Sequence, residues 1–146
     1  MRFQDMVVFI TGGAKGLGSE MAKSFLAEGA KVAVNGRHEE TVKGFQEQFN
    51  GRPIMTFTND ITDYAAIEKS VDEIMREWGR IDILINNAGI LNSLAPTEKL
   101  KKDNFDNTID VNIKGTFYVT QLVGRRMIEQ KSGRIINIAS QVGFFG

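Results

Sequence analysis

The segment from Thr11 to Gly18 reads Thr-Gly-Gly-Ala-Lys-Gly-Leu-Gly, with four glycines in eight residues. It lies between an apolar run at residues 6–10 and a helix-like run at residues 19–28. Free backbone N–H groups and the helix dipole make a helix N-terminus attractive to anions. The segment therefore predicts a phosphate-binding turn. The alternative is a tight turn without a ligand, because glycines also punctuate ordinary loops.

Three other positions carry polar side chains that chemistry could use. Asn86-Asn87-Ala88-Gly89 and Ser140 each follow an apolar, strand-like run. Asn112 lies within a helix-like segment, where asparagine is a mediocre helix former and its presence needs a reason. Taken singly, each reads as a turn or capping residue. In a parallel sheet, however, residues at the carboxyl ends of the strands line the ligand crevice.

Strand and helix signals alternate along the chain and would bring these positions together. The predicted strands are short and rich in valine and isoleucine, as strands buried on both faces are; they are 6–11, 31–35, 53–57, 81–86 and 134–139. The predicted helices are 16–28, 39–49, 64–78 and about 104–130. This alternation predicts an α/β fold with a doubly wound parallel sheet. The loop at 91–102 is the one long irregular stretch.

The fifth predicted strand would form an edge of the sheet. Complete sheets of this type have six strands in the order 3-2-1-4-5-6, whereas five are countable here. Ile135, Ile136 and Ile138 occupy both faces of that strand. An uncovered edge so apolar favours aggregation. We therefore expect something to cover it, most simply more of the same chain.

Composition limits the function classes. The 146 residues suit one domain, and 18 basic residues balance 18 acidic ones, so bulk charge favours neither a nucleic-acid nor a membrane partner. The absence of cysteine and the single histidine argue against a metal site. There is no apolar run of the roughly 18 residues that a membrane span needs, and no signal-peptide core. The default expectation is a soluble cytoplasmic protein.

Taken together and in order, these motifs resemble the classical short-chain dehydrogenase/reductase family. They are Thr-Gly-x-x-x-Gly-x-Gly at 11–18, Asp60, Asn-Asn-Ala-Gly at 86–89, Asn112, and Gly-Arg-Ile-Ile-Asn-Ile-Ala-Ser at 133–140. The resemblance covers residues 4–146. It implies a Rossmann dinucleotide-binding domain over 1–146 and hydride transfer between a nicotinamide cofactor and a small-molecule carbonyl or alcohol.

The resemblance also implies roles for individual residues. Gly12, Gly16 and Gly18 would cradle the pyrophosphate, and Asp60 would contact the adenine. Asn86 would help to hold the sheet. Ser140 would hydrogen-bond the substrate oxygen, and Asn112 would hold a water in the proton relay. The complete set of predicted cofactor-binding residues is Thr11, Gly12, Lys15, Gly16, Leu17, Gly18, Arg37, Asp60, Ile61, Asn87, Ala88 and Gly89.

The end of the second strand favours NADP(H) over NAD(H). An acidic residue there bonds the ribose 2′-hydroxyl of NAD, whereas a nearby arginine accommodates the 2′-phosphate of NADP. Gly36 stands where NAD-type relatives carry the acid, and Arg37 follows it. Lys15 adds a second positive charge. The alternative is that both charges are ordinary solvated residues, and His38 is more simply a bystander at the same pocket.

The family's Tyr-x-x-x-Lys acid–base motif is missing from the chain. Four residues after Tyr64 stands Glu68, and four after Tyr118 stands Leu122. We therefore expect the domain to be truncated before the Tyr-x-x-x-Lys helix and inactive alone. Either the sequence is the N-terminal piece of a longer enzyme, or it is a short nucleotide-binding or interaction module without catalysis. We favour the first, because Ser140 and Asn112 make little sense without the tyrosine and lysine.

The long helix suggests self-association. In the family this helix packs in the dimer interface, so the resemblance implies a homo-oligomer. The apolar residues of this helix could serve the core or an interface, with the core favoured for each; they include Phe105, Ile109, Phe117 and Leu122. The substrate is not determined by these residues. Asn35-Gly36-Arg37 resembles sugar-acid reductases such as gluconate 5-dehydrogenase, and the general pattern resembles 3-oxoacyl-acyl-carrier-protein reductases equally.

Overall fold

A computed structural model describes residues 1–91 and 93–140. Its five strands form one parallel sheet in the order β3-β2-β1-β4-β5. The strands are β1 (Val7–Ile10), β2 (Lys31–Gly36), β3 (Ile54–Thr58), β4 (Ile83–Asn86) and β5 (Arg134–Asn137). Strand β1 is at the centre of the sheet: β2 and β3 lie on one side of it, and β4 and β5 lie on the other. The predicted doubly wound sheet and its strand order are confirmed.

The helices connect the strands and cover the sheet. They are α1 (Gly16–Ala27), α2 (Glu39–Gln48), α3 (Tyr64–Trp78), α4 (Lys102–Ile109) and α5 (Thr116–Gln130). The long helix predicted from about residue 104 begins at Lys102 and is interrupted by a π-helical turn, Asp110–Gly115. The loop predicted as irregular contains a short 3-10 turn, Thr97–Lys99. The π turn places Gly115 so close to Ile61 that a Cβ would lie 2.6 Å from its Cγ1, which only glycine permits.

Strand β1 divides the core into two layers. Its side chains alternate between the faces of the sheet, as a strand requires. Val7 and Phe9 pack in the layer beneath α3 and α5, and Val8 and Ile10 pack in the layer beneath α1 and α2. All four are at most 1% exposed. A strand buried on both faces in this way holds the turn that follows it in a fixed position.

The ends and the buried side of helix α3 explain why residues 64–78 form the predicted helix. The side chain of Asp63 accepts a hydrogen bond from the backbone N–H of Ala66 at 3.0 Å, which caps the first turn. Gly79 ends the helix with a φ of 76°, the left-handed conformation that favours glycine. The buried side of the helix is mostly apolar and consists of Ile67, Val71 and Ile74, together with the polar Ser70.

The β5 side of the sheet is much more exposed. Ile135, Ile136 and Ile138 are 39%, 44% and 40% exposed, as predicted for an uncovered edge. The expectation of a core position holds for Leu122, which is 5% exposed, but is wrong for Phe105 and Phe117, at 52% and 56%. Phe117 faces outward because α5 turns its valine and leucine side, which includes Val119, Leu122 and Val123, towards the core, and Phe105 lies on α4, which has no buried residue. No helix in the described residues is long and apolar enough to cross a membrane.

Candidate functional site

A cleft of about 320 Å³ opens at the carboxyl ends of the strands, in the size range of small-molecule sites. The turn after β1, the end of β2, the residues after β3 and the residues after β4 all contribute to it. Eleven of the twelve predicted cofactor-binding residues line it, all except Thr11. The lining set is Gly12, Ala14, Lys15, Gly16, Leu17, Gly18, Asn35, Gly36, Arg37, His38, Thr41, Asn59, Asp60, Ile61, Asn87, Ala88, Gly89, Ile90 and Val111.

The turn between β1 and α1 has the backbone that its glycines permit. Gly12 and Gly16 have φ values of 61° and 54°, which are costly for residues with a side chain. At Gly18 a Cβ would lie 2.4 Å from the carbonyl oxygen of Gly12 and 2.7 Å from Nδ2 of Asn87. The first turn of α1 therefore approaches the strand ends closely and leaves its N-terminus open towards the cleft. This backbone cradle fits a pyrophosphate.

Hydrogen bonds of Thr11 and Asn87 hold the turn in position. Thr11 is 1% exposed, and its Oγ1 accepts hydrogen bonds from the backbone N–H groups of Asn87 and Ala88, each at 3.0 Å. In return, Nδ2 of Asn87 donates to the carbonyl oxygens of Thr11 at 3.0 Å and Gly12 at 3.2 Å. These bonds join the ends of β1 and β4 directly. Thr11 thus shapes the cleft without lining it.

The end of β2 places positive charge beside the cleft. Nη1 of Arg37 lies 3.8 Å from Oδ2 of Asp60, and both side chains are partly exposed. The other carboxylate oxygen of Asp60 accepts bonds from the N–H and the hydroxyl of Thr62, each at 2.9 Å. At Gly36 a Cβ would meet Cγ2 of Val42 at 3.0 Å and Cβ of Ala14 at 3.4 Å. A side chain at Gly36 would therefore be crowded by the first turn of α2.

The hydrogen bonds of Asn112 explain why an asparagine stands within this helical segment. The Oδ1 of Asn112 accepts from the N–H of Ile90, and its Nδ2 donates to the carbonyl oxygen of the same residue, both at 2.9 Å. The π turn thus holds the loop that follows Gly89. Next to it, a hydrogen bond from Lys114 to Asp110 at 2.6 Å raises the pKa of Lys114.

Ser140 follows the carboxyl end of β5, the strand on the far side of β4 from β1. It is exposed, and neither it nor Asn112 is among the described residues that line the cleft. Strand β5 pairs with β4 in parallel, and Asn86 is the register partner of Asn137. Nδ2 of Asn86 donates to Oδ1 of Asn137 and to Oγ1 of Thr120, both at 2.8 Å, so Asn86 links β5 and α5 to the centre of the sheet.

Two asparagines in the cleft were missed by the sequence reasoning. Asn35, which is 2% exposed, and Asn59 lie at the ends of β2 and β3, and their side chains are hydrogen-bonded to each other at 2.8 Å. The available signal was a polar residue in an apolar strand, Val-Ala-Val-Asn, which a strand buried on both faces accommodates only with a partner. His38, treated as a bystander, also lines the cleft.

Comparison with known proteins identifies the family. The short chain dehydrogenase family model matches residues 6–146. This chain belongs to the short-chain dehydrogenase family. It is 36% identical to the 3-oxoacyl-[acyl-carrier-protein] reductase FabG of Thermotoga maritima over 100% of the chain and 60% of that protein. It is also 36% identical to the NADP-dependent 3-hydroxy acid dehydrogenase YdfG of Salmonella typhi, over 94% of the chain and 55% of that protein.

The fold agrees with solved members of the family. The structure of NAD⁺-bound xylitol dehydrogenase superposes with a TM-score of 0.93 at 31% identity, covering 100% of this chain and 57% of that one. The chain therefore spans little more than half the length of these relatives. These relatives are dehydrogenases and reductases, and the two whose names give a dinucleotide differ in it: YdfG is NADP-dependent, and xylitol dehydrogenase holds NAD⁺.

Proposed function

We propose that this chain is the dinucleotide-binding domain of an NADP(H)-dependent oxidoreductase that interconverts a ketone and a secondary alcohol. The observation that carries the proposal is the cleft, in which the glycine turn, the end of β2 and the Asn87–Gly89 segment meet. A nucleotide pyrophosphate would lie at the N-terminus of α1, and its adenine would lie towards Asp60 and Ile61. When bound, the nicotinamide supplies or accepts the hydride.

The preference for NADP(H) rests on charge and space at the end of β2. Arg37 and Lys15 both line the cleft, and a guanidinium binds phosphate in bidentate fashion. Gly36 offers no carboxylate for a ribose 2′-hydroxyl. Asp60 makes only a long, partly exposed ion pair with Arg37, at 3.8 Å, so a 2′-phosphate would compete for the guanidinium with a weak interaction. NADP-dependence in YdfG agrees with this preference, whereas the NAD⁺ bound to xylitol dehydrogenase shows that the fold alone does not decide it.

A titration of the two reduced dinucleotides tests this proposal. We expect Arg37→Ala to weaken NADPH binding by about ten- to a hundredfold, because one charged hydrogen-bonding group on the phosphate is lost. NADH binding should change by less than about twofold. Lys43→Ala is the matched control: it removes an exposed positive charge on α2 that does not line the cleft. Tighter binding of NADH than of NADPH by the unaltered protein would contradict the proposed cofactor.

The roles on the substrate side extend the same proposal. Ser140 would donate a hydrogen bond to the substrate oxygen, and Asn112 would hold a water of the proton relay. The proton donor is not supplied by the tyrosines of this chain: the Tyr64 hydroxyl donates to Gln121 at 3.2 Å, and Tyr118 packs edge-on against Tyr64. We therefore expect the 146-residue chain alone to reduce no ketone at ordinary rates. A turnover assay with NADPH checks this.

The cellular setting is also part of the proposal. The partners would be a small carbonyl or alcohol substrate and a second copy of the protein. The exposed side chains of Phe105 on α4 and Phe117 on α5 are apolar groups that a second copy would cover. We propose a cytoplasmic location. The domain would occupy residues 1–146 and precede the segment that carries Tyr-x-x-x-Lys.

A further inference from the structure

A directed chain of hydrogen bonds runs from the glycine turn to α3. The N–H of Gly12 donates to Oδ1 of Asn35 at 3.0 Å. Nδ2 of Asn35 donates to Oδ1 of Asn59 at 2.8 Å, and Nδ2 of Asn59 donates to Oγ of Ser70 at 2.7 Å. The Ser70 hydroxyl then donates to the carbonyl oxygen of Ala66 at 3.1 Å. Four separate elements are thereby joined, namely the turn, the two strand ends and the helix.

Every member of this chain donates in the same direction. Each asparagine accepts with its oxygen and donates with its nitrogen, so the bonds polarise one another. Asn35 and Ser70 are 2% and 3% exposed, so a broken link would leave a buried polar group unpaired. The chain of hydrogen bonds therefore fixes the orientation of both side-chain amides and the position of Gly12.

Asn35 also holds the next residue of the turn. Its backbone carbonyl oxygen accepts the N–H of Gly13 at 3.1 Å. On the opposite side, the carbonyl oxygen of Gly12 accepts Nδ2 of Asn87 at 3.2 Å. Gly12 is thus fixed by asparagine side chains at both its N–H and its carbonyl oxygen. Because that carbonyl oxygen is the atom against which Gly18 packs, the position of Gly12 sets the position of the first turn of α1.

We propose that Asn35 is a positioning residue for the dinucleotide and that Asn59 and Ser70 act through it. This inference rests on the proposed function of the cleft. The chain of bonds transmits the fixed position of α3, whose mostly apolar side is buried in the core, to the turn that faces the pyrophosphate. Ser70 does not line the cleft, so an effect of Ser70 on binding has to pass through Asn59 and Asn35.

Calorimetric titration of the purified protein with NADPH tests the proposal. We expect Asn35→Ala to raise the Kd about tenfold, and Ser70→Ala to raise it about fivefold. The double variant should bind no more weakly than Asn35→Ala alone, because the chain is already broken. Ile74→Val is the matched control: it lies one turn further along α3, is buried and apolar, and should lower stability without changing the Kd.

Amide hydrogen exchange at Gly12, measured without nucleotide, gives a second readout. The amide of Gly12 should exchange faster in Ser70→Ala and in Asn35→Ala than in Ile74→Val. The comparison is made under conditions in which the variants have the same free energy of unfolding. An unchanged Kd in Ser70→Ala, or losses that multiply in the double variant, would overturn the positioning role while leaving the proposed function intact. An unaltered protein that binds neither NADPH nor NADH would overturn the proposed function, and the positioning role with it.

Discussion

Strands β1 and β5 each have four residues, and both contain isoleucine, yet one is buried and the other is exposed. Every residue of β1 is at most 1% exposed, whereas every residue of β5 is exposed. Strand β1 pairs with β2 and β4 and is covered by helices on both faces, while β5 pairs with β4 alone among the described strands. For the isoleucines, position in the sheet accounts for the difference: Ile10 is 0% exposed, whereas Ile135 and Ile136 are 39% and 44% exposed.

The segments that follow the two strands differ in the same way. After β1, Thr11 and Gly12 are held by Asn87 and Asn35 through hydrogen bonds of 3.0–3.2 Å. After β5, the chain passes to Ser140 in an exposed position. The proposed cofactor side of the cleft is therefore held in place by hydrogen bonds among the described residues themselves. The proposed substrate side follows a strand that pairs, among the described strands, with β4 alone.

The largest effect that would test this contrast lies in the turn after β1. We expect Gly18→Ala to weaken NADPH binding more than about a hundredfold, because the new Cβ would lie 2.4 Å from a backbone carbonyl oxygen that cannot move freely. The protein should also lose about 1–3 kcal/mol of unfolding free energy through overpacking. Titration with NADPH and chemical denaturation measure the two effects.

Gly44→Ala is the control for that variant. Gly44 lies within α2, and a Cβ there would meet nothing within 4 Å. The same change of residue should therefore stabilise the protein by about 0.5–1 kcal/mol, because alanine is the better helix former, and should leave NADPH binding unchanged. If Gly18→Ala bound NADPH normally, the close packing of the turn would be irrelevant to the ligand.

The fold could be predicted from the sequence because its signals are local and periodic. The alternation of strands and helices, the cap at Asp63 and the left-handed Gly79 all lie within one or two turns of the residues that cause them. The cofactor-binding residues could be predicted from the motifs that resemble the short-chain dehydrogenase family, and these motifs follow strand ends that share one edge of the sheet. All but Thr11 line the cleft.

The missed features depend on partners distant in sequence. Asn35 bonds Gly12 and Asn59, which are 23 and 24 residues away, and no local pattern encodes such a pairing. The π turn at Asp110–Gly115 likewise serves contacts with Ile90 and Ile61 that lie outside its own helix. Phe105 and Phe117 were expected in the core because periodicity shows which residues share a face, but not what that face meets.

A smaller effect, on the free energy of unfolding, is expected from two isoleucines that are neighbours in the paired strands β4 and β5. Ile85 of β4 and Ile136 of β5 are register partners, yet they are 2% and 44% exposed. We expect Ile85→Ala to cost about 2–5 kcal/mol of unfolding free energy, as for a buried isoleucine. Ile136→Ala should cost less than about 1 kcal/mol, because much of the side chain is already in water. Urea denaturation at low protein concentration measures both.

Equal losses in the two variants would contradict the exposure of β5 in solution. The cause would then be identified by repeating the denaturation at a tenfold lower protein concentration. If the edge of β5 is covered by a second copy, the cost of Ile136→Ala should fall on dilution, because mass action removes the partner. A cost that stays the same on dilution would mean that the chain covers its own edge. In that case β5 and β1 would differ in their number of paired edges but not in their burial.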